Sequence, residues 1–169
     1  MVVLKVLIAA AGFAVCAYGG YRYSQRYVLR ERYFAELLEF CAGLCADIGF
    51  IRLSLYDILE KYSGCFKSFL SVQLAGVSTL LDDNKAIEET ELKEYVQKGF
   101  LSDGEYGAVL RFFNVLGKSD ADNQAATIDS FKAVFQKYHD DAVSSKKKYS
   151  SLYWKLGLLA GAALSVFVI

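Results

Sequence analysis

Residues 152–169 read LYWKLGLLAGAALSVFVI, and this stretch decides the class of protein. Lys155 is its only charged residue, and a helix of this length rises about 27 Å, close to the hydrocarbon thickness of a bilayer. Tyr153 and Trp154 stand at its start, as aromatic residues do where a helix enters a membrane. We therefore predict a transmembrane helix over 152–169. A buried helix of a soluble protein is the alternative.

The opposite end of the chain has the same character. Residues 2–21 contain Lys5 as their only charged residue, so we predict a second transmembrane helix over residues 1–21. A cleaved signal peptide is the competing interpretation, because a basic residue, an apolar stretch and small residues such as Ala17 and Gly19 are also typical of a secretory signal. Small residues in both spans predict that they pack on each other or on partner spans. These positions are Gly12, Cys16, Gly20, Gly157 and Gly161.

Basic residues cluster at the inner ends of the two predicted spans. They are Arg22, Arg26, Arg30 and Arg32 after the first and Lys146, Lys147, Lys148 and Lys155 around the second. Because cytoplasmic flanks collect lysine and arginine, we predict that the middle of the chain is cytoplasmic and that both termini face the other side of the membrane. The same basic flanks suit anionic membrane lipid.

The middle of the chain, residues 22–151, predicts a helical bundle. Proline is absent from the whole sequence, and apolar residues recur three and four positions apart. Ser54 with Asp57, and Ser102 with Glu105, have the spacing of helix-starting capping boxes. The predicted fold is therefore all-α, a cytoplasmic bundle between an N-terminal and a C-terminal transmembrane helix. Its last helix is predicted to run unbroken over residues 120–169, about 75 Å.

One segment of the middle region is strongly acidic. It contains Asp82, Asp83, Glu88, Glu89, Glu91 and Glu94, against Lys85 and Lys93. Six acids and two bases give this segment a net charge of −4. It is either a solvated loop leading into a short helix or a docking surface for a basic partner.

Nothing in the sequence marks a catalytic, cofactor or metal site. Nineteen basic and nineteen acidic residues cancel, which argues against nucleic acid as a partner, and no phosphate-binding loop, dinucleotide fingerprint or zinc motif occurs. Cys41 and Cys45 lie on one helical face with apolar residues, so we interpret them as buried, and His139 as a surface residue. We predict a protein that is not an enzyme and takes no small-molecule substrate. A membrane-tethered redox or metal protein that uses Cys41, Cys45 and His139 is the alternative from another class.

A family resemblance rests on residues 116–124, LGKSDADNQ, followed by a long helix that ends in KLGLLAGAALSVFVI. This arrangement resembles the stage III sporulation protein AB family. The positions that match its motif are Leu116, Gly117, Ser119, Asp120 and Gln124. In the first half of the chain Asp47, Ile48, Phe50 and Leu55 also match, while Ser54 stands where the family has proline. The chain looks like a divergent member.

The resemblance implies a role in secretion. The family's cytoplasmic domain is similar to the platform domains of type II secretion and type IV pilus machines, which sit beside a hexameric ATPase. It therefore implies a component of the sporulation channel, or feeding-tube, complex in the outer forespore membrane, with its domain in the mother-cell cytoplasm. Its implied partners are the ATPase, stage III sporulation protein AA, and other channel proteins. A platform protein of a type II secretion or type IV pilus-like system is the alternative.

Overall fold

A computed structural model of the chain describes residues 2–48, 54–66, 68–82, 89–96, 98–116 and 121–168. The fold is all-α, and no strand occurs within these ranges. The α-helices are α1 (Val2–Ala46), α2 (Leu55–Cys65), α3 (Phe69–Asp82), α4 (Glu89–Tyr95), α5 (Asp103–Val115), α6 (Ala121–Ser145) and α7 (Ser151–Val168). A π-helical segment, Lys146–Ser150, stands between α6 and α7.

The chain divides into two compact units. One joins Met1–Glu31 to Asp141–Ile169, and we call it the terminal unit; the other, Arg32–Asp140, is the central unit. The two predicted transmembrane helices cover residues 1–21 and 152–169. The terminal unit contains both of these ranges and about ten more residues on the inner side of each. Where a membrane would begin and end along these helices stays a prediction.

The core of the central unit is built on one face of α1. Tyr33, Phe34, Leu37, Phe40 and Leu44 are all buried, at intervals of one, three or four residues that place them on one side of a helix. Phe34, Leu37 and Leu44 belong to the recurrence of apolar residues that the sequence predicts, and Tyr33 and Phe40 widen the buried face beyond it. Side chains that recur on one helical face can be buried together, and this burial supplies most of the stability of a helix in a protein.

Phe112 of α5 lies at the centre of an aromatic cluster in the central unit. Its ring meets Phe40, Phe131 and Phe135 edge to face, with ring centroids 6.3, 5.5 and 5.3 Å apart. Phe112 and Phe135 are almost completely buried. Edge-to-face pairs contribute about 0.5–1.5 kcal/mol each beyond the burial of their area. The cluster therefore stabilises the packing of α1, α5 and α6, the three helices that supply its rings.

Both predicted capping boxes start a helix. The Ser54 hydroxyl accepts a hydrogen bond from the Asp57 backbone N–H at 3.2 Å, at the start of α2. At α5 the Ser102 hydroxyl accepts from the Glu105 N–H, and the Glu105 carboxylate accepts from the Ser102 N–H at 2.8 Å. These contacts satisfy N–H groups that have no partner within the helix, so the two predicted helix starts are confirmed.

The last part of the chain differs in one respect from the predicted regular helix. Residues 121–168 are helical throughout, but Lys146–Ser150 form a π-helical segment. A π segment accommodates extra residues in a helix and changes which side chains share a face. A continuous 3.6-residue period therefore does not describe the passage from α6 to α7. Asp120 and Gly117, the predicted boundaries here, lie outside the described residues.

Among the described residues, one helix is long and apolar enough to cross a membrane by length and composition. It lies within Asn123–Phe167, and only 6% of its apolar window is buried. That small fraction argues against the alternative of a buried helix in a soluble protein. The N-terminal transmembrane helix over residues 1–21 stays a prediction.

Candidate functional site: the paired terminal helices

In the terminal unit, α1 and α7 approach each other closely at two glycines, Gly20 and Gly157. A Cβ added to Gly20 would lie 2.8 Å from Gly157 Cα and 2.8 Å from the Tyr153 carbonyl oxygen. A Cβ added to Gly157 would lie 2.9 Å from Gly20 Cα and 2.9 Å from the Cys16 carbonyl oxygen. No side chain fits at such distances, so the helix backbones themselves are in contact here.

The contact continues toward the chain ends. A Cβ on Gly161 would lie 2.8 Å from Phe13 Cδ2, and the Ser165 hydroxyl donates to the carbonyl oxygens of Ala9 at 3.3 Å and Gly161 at 2.9 Å. Gly12 differs, because a Cβ added there would meet nothing within 4 Å. Of the five predicted packing positions, the structure brings together Cys16, Gly20, Gly157 and Gly161 and leaves Gly12 outside the contact.

Aromatic rings join the same two helices beyond the glycines. Tyr21 meets Trp154 edge to face at 6.0 Å, Tyr23 meets Tyr153 at 4.7 Å, and Tyr27 stacks on Tyr153 at 5.8 Å with an interplanar angle of 8°. Tyrosine and tryptophan concentrate where a membrane helix meets water, because one end of the ring is apolar and the other polar. This aromatic layer stands where the sequence predicts the membrane surface.

Polar contacts follow the aromatic layer. The Ser24 and Ser150 hydroxyls are 2.8 Å apart, and Ser24 is buried. The Lys146 ammonium donates to the Glu31 carboxylate at 2.9 Å. Lys146 and Ser150 are the first and last residues of the π-helical segment, so this segment carries both contacts to α1. Sequence periodicity gave no signal for either contact.

Charge is distributed unequally between the two units. The terminal unit contains eight basic and two acidic residues, a net charge of +6. The central unit contains eleven basic and seventeen acidic residues, a net charge of −6. The overall charge of zero therefore conceals a basic unit, suited to anionic lipid, and an acidic unit, suited to a basic partner.

The predicted acidic surface is described only in part. Glu91 and Glu94 are exposed on α4, whose Leu92 is fully buried. The backbones of Asp82 and Glu89 lie at the end of α3 and the start of α4, while Asp83 and Glu88 lie outside the described residues. The short helix that the sequence predicts after the acidic loop is α4. Its role as a docking surface stays a prediction.

The motif of the family resemblance is described at two positions. Leu116 is buried, and its N–H donates to the Phe112 carbonyl oxygen at 3.2 Å, closing the end of α5. Gln124 is buried in α6, and its side-chain nitrogen has no hydrogen-bond partner among the described residues. Gly117, Ser119 and Asp120 lie outside the described residues. The described part of the motif is therefore buried at the end of α5 and in the first turns of α6.

The cysteines and the histidine offer little for redox or metal chemistry. Cys41 is buried, and burial raises the pKa of its thiol to about 12, which opposes formation of the reactive thiolate. Burial also raises the pKa of Cys45. His139 Nδ1 is 3.7 Å from an Asp140 carboxylate oxygen and makes no hydrogen bond to any residue that the structure describes. Among the described residues no group of three metal-ligating side chains occurs.

Two polar pairs of the central unit were not predicted from sequence. The Lys61 ammonium donates to the nearly buried Asp47 carboxylate at 2.8 Å, and this hydrogen bond raises the pKa of Lys61. The Tyr33 hydroxyl donates to the Gln73 side-chain oxygen at 2.7 Å, with both residues buried. Asp47 is among the residues that match the family pattern, and its position explains why an acid is useful there: it joins the end of α1 to α2.

The comparisons with known proteins identify the family. The sequence model of stage III sporulation protein AB matches residues 5–169, essentially the whole chain. No curated protein and no solved structure matches. The family is one of sporulation proteins and is not a known enzyme family. The match spans both the paired terminal helices and the central bundle, and the chain therefore belongs to the stage III sporulation protein AB family.

Proposed function

We propose that this protein is a non-catalytic membrane platform of the sporulation channel complex in the outer forespore membrane. The observation that carries the membrane part is the backbone contact at Gly20 and Gly157, which pairs the two apolar chain ends beneath an aromatic layer. Paired helices with small residues in contact and tyrosine or tryptophan at one end are typical of membrane helices. The family supplies the link to sporulation.

The proposed orientation places both termini outside the mother-cell cytoplasm and the central unit inside it. It is supported by the charge of the terminal unit, whose basic residues lie almost entirely at the cytoplasmic ends of the proposed spans. Only Lys5 stands at the outer end. The N-terminal span belongs to this proposal.

The proposed partner of the central unit is the hexameric secretion-type ATPase, stage III sporulation protein AA, with other channel proteins. The support is the family's similarity to platform domains and the net charge of −6 of the central unit. Glu91 and Glu94 are exposed on one short helix, where a basic surface of a partner can reach them. The terminal unit would anchor the protein in the membrane, and the central unit would hold the ATPase at the membrane surface.

Co-expression of the full-length protein with the cognate ATPase in membranes tests this proposal. We expect the two proteins to purify together after solubilisation in a mild detergent. A folded protein that never associates with a folded ATPase under these conditions would contradict the platform role. Replacing Glu91 and Glu94 by lysine should reduce this association while the amount of protein in the membrane stays unchanged.

A further inference from the structure

A groove lies across the paired helices of the terminal unit, at the aromatic layer. Its volume is about 390 Å³, within the range of roughly 300–1,000 Å³ that small-molecule sites occupy. It is lined by Tyr21, Ser24, Gln25, Ser150, Ser151 and Trp154. The lining is thus two aromatic rings and four polar side chains, which carry hydroxyl or amide groups.

The two kinds of lining residue come from both helices. Tyr21 and Trp154 meet edge to face with an interplanar angle of 76°, and the Ser24 and Ser150 hydroxyls join α1 to the π-helical segment. Gln25 is half-buried and Ser151 is exposed, so an amide and a hydroxyl are accessible from the groove. Hydroxyl and amide groups donate hydrogen bonds to phosphate oxygens.

The charge around the groove has one sign. Residues 1–30 and 142–169 contain no aspartate or glutamate. Lys147 and Lys155 stand four residues before and four residues after Ser151, and both are exposed, as is Arg22 beside Tyr21. A ligand in the groove would therefore be an anion, held at the depth where aromatic residues meet the membrane surface.

We propose that this groove binds the headgroup of an anionic phospholipid. Gln25 and Ser151 donate hydrogen bonds to the phosphate oxygens, while Lys147 and Lys155 supply the neutralising charge. Tyr21 and Trp154 cover the glycerol end of the headgroup. The inference rests on the proposed insertion of the terminal unit into a membrane and adds a defined lipid site to it.

Trp154 is the only tryptophan of the chain, so its fluorescence reports on the groove alone. The full-length protein in a non-ionic detergent would be titrated with phosphatidylglycerol in mixed micelles, and in parallel with phosphatidylcholine and with soluble glycerol phosphate. We expect phosphatidylglycerol to move the emission to shorter wavelength, with saturation. Equal responses to phosphatidylcholine or to glycerol phosphate would overturn the proposal, because the site would then select neither an anion nor a lipid.

Uncharged substitutions separate the groove from general attraction to a basic surface. Gln25→Ala and Ser151→Ala, made singly, each remove one hydrogen bond to a charged group. Each should raise the lipid concentration at half-saturation by about tenfold. Ser144→Ala is the matched control, since Ser144 is exposed and does not line the groove. Lys147→Gln should also weaken binding.

The outcomes distinguish this inference from the proposed function. Weakening by Lys147→Gln with no effect of Gln25→Ala or Ser151→Ala would overturn the groove, because charge alone would then explain the binding. The selectivity of the unaltered protein for phosphatidylglycerol does not depend on how the variants fold. A protein that stays in membranes but does not discriminate between lipids overturns the headgroup site only.

Discussion

Gly20 of α1 and Gly157 of α7 face each other with no room for a side chain on either, since a Cβ on one would lie within 3 Å of the Cα of the other. This contact joins residues from opposite ends of the chain, both within segments that contain a single charged residue each. It shows that the two apolar ends form one packed unit. The membrane part of the proposed function depends on this pairing.

Replacing Gly157 by isoleucine should therefore destabilise the terminal unit. The new side chain would overlap Gly20 Cα and the Cys16 carbonyl oxygen, and overpacking of this kind costs about 1–3 kcal/mol. Thermal unfolding of the full-length protein in detergent measures the effect. Gly19→Ile is the matched control, because a Cβ at Gly19 would meet nothing within 4 Å. Equal melting temperatures for the two variants would contradict the observed contact.

The buried Tyr33–Gln73 pair predicts a coupled effect on stability. Tyr33→Phe removes the hydroxyl that donates to the fully buried Gln73 side chain. Within the described part of the chain, neither the nitrogen nor the oxygen of the Gln73 amide would then have a hydrogen-bond partner. Leaving a buried polar group unsatisfied costs about 1–3 kcal/mol.

A double-mutant cycle tests this pair. Adding Gln73→Leu to Tyr33→Phe should recover part of the loss, because both polar partners are then absent. The measurement is the free energy of unfolding of the full-length protein in detergent. Strictly additive effects of the two substitutions would show that the hydrogen bond contributes nothing.

Thiol reactivity tests the placement of the cysteines. Cys65 is exposed and should react first with maleimide at pH 8, whereas buried Cys41, whose pKa is about 12, should react only after unfolding. Mass spectrometry of the labelled protein identifies the order of modification. Labelling of Cys41 as fast as Cys65 in the folded protein would contradict its burial.

The raised pKa of Cys41 predicts that the stability of the folded protein falls as the pH rises. The folded state favours the neutral thiol of Cys41. The contribution of this thiol to stability is therefore fully present below its ordinary pKa of 9.0 and is lost as the pH rises toward about 12. Unfolding followed from pH 8 to pH 11 should therefore show falling stability. Stability that increases over this range would contradict the burial of an un-ionised thiol.

The exposed acidic side chains of α4 predict that reversing their charge weakens association with the ATPase. Glu91→Lys with Glu94→Lys changes two exposed side chains on α4 and should weaken co-purification with the ATPase, more so at low ionic strength. Glu39→Lys, another exposed acid of the central unit, is the control for net charge. If all three substitutions weaken association to the same degree per charge, α4 is not the docking surface.

The all-α fold was predictable because its signals are local. The capping boxes at Ser54 and Ser102 and the apolar recurrence that contains Phe34, Leu37 and Leu44 depend on spacing within one helix, which sequence displays directly. The aromatic layer followed from Tyr153 and Trp154 standing beside an apolar run. Small residues in both spans pointed to helix contact, and the structure brings four of the five predicted positions together.

The remaining features depend on contacts between distant segments. Gly43 receives the Tyr62 ring and Gly76 receives the Tyr95 ring, so each glycine serves a neighbour that spacing does not reveal. The same is true of the Asp47–Lys61 ion pair. Gly12 has the same local pattern as Gly20, but a Cβ added to Gly12 would meet nothing within 4 Å. The first and last residues of the π-helical segment, Lys146 and Ser150, make polar contacts to α1 that lie more than 100 residues apart in sequence.

Extraction of membranes with alkaline carbonate at high salt tests the central claim most directly. This treatment removes proteins held only by charge and leaves those that insert apolar helices into lipid. The pairing of the two apolar chain ends predicts that the full-length protein stays in the membrane pellet and is released only by detergent. Recovery of the intact, folded protein in the carbonate supernatant would contradict the account.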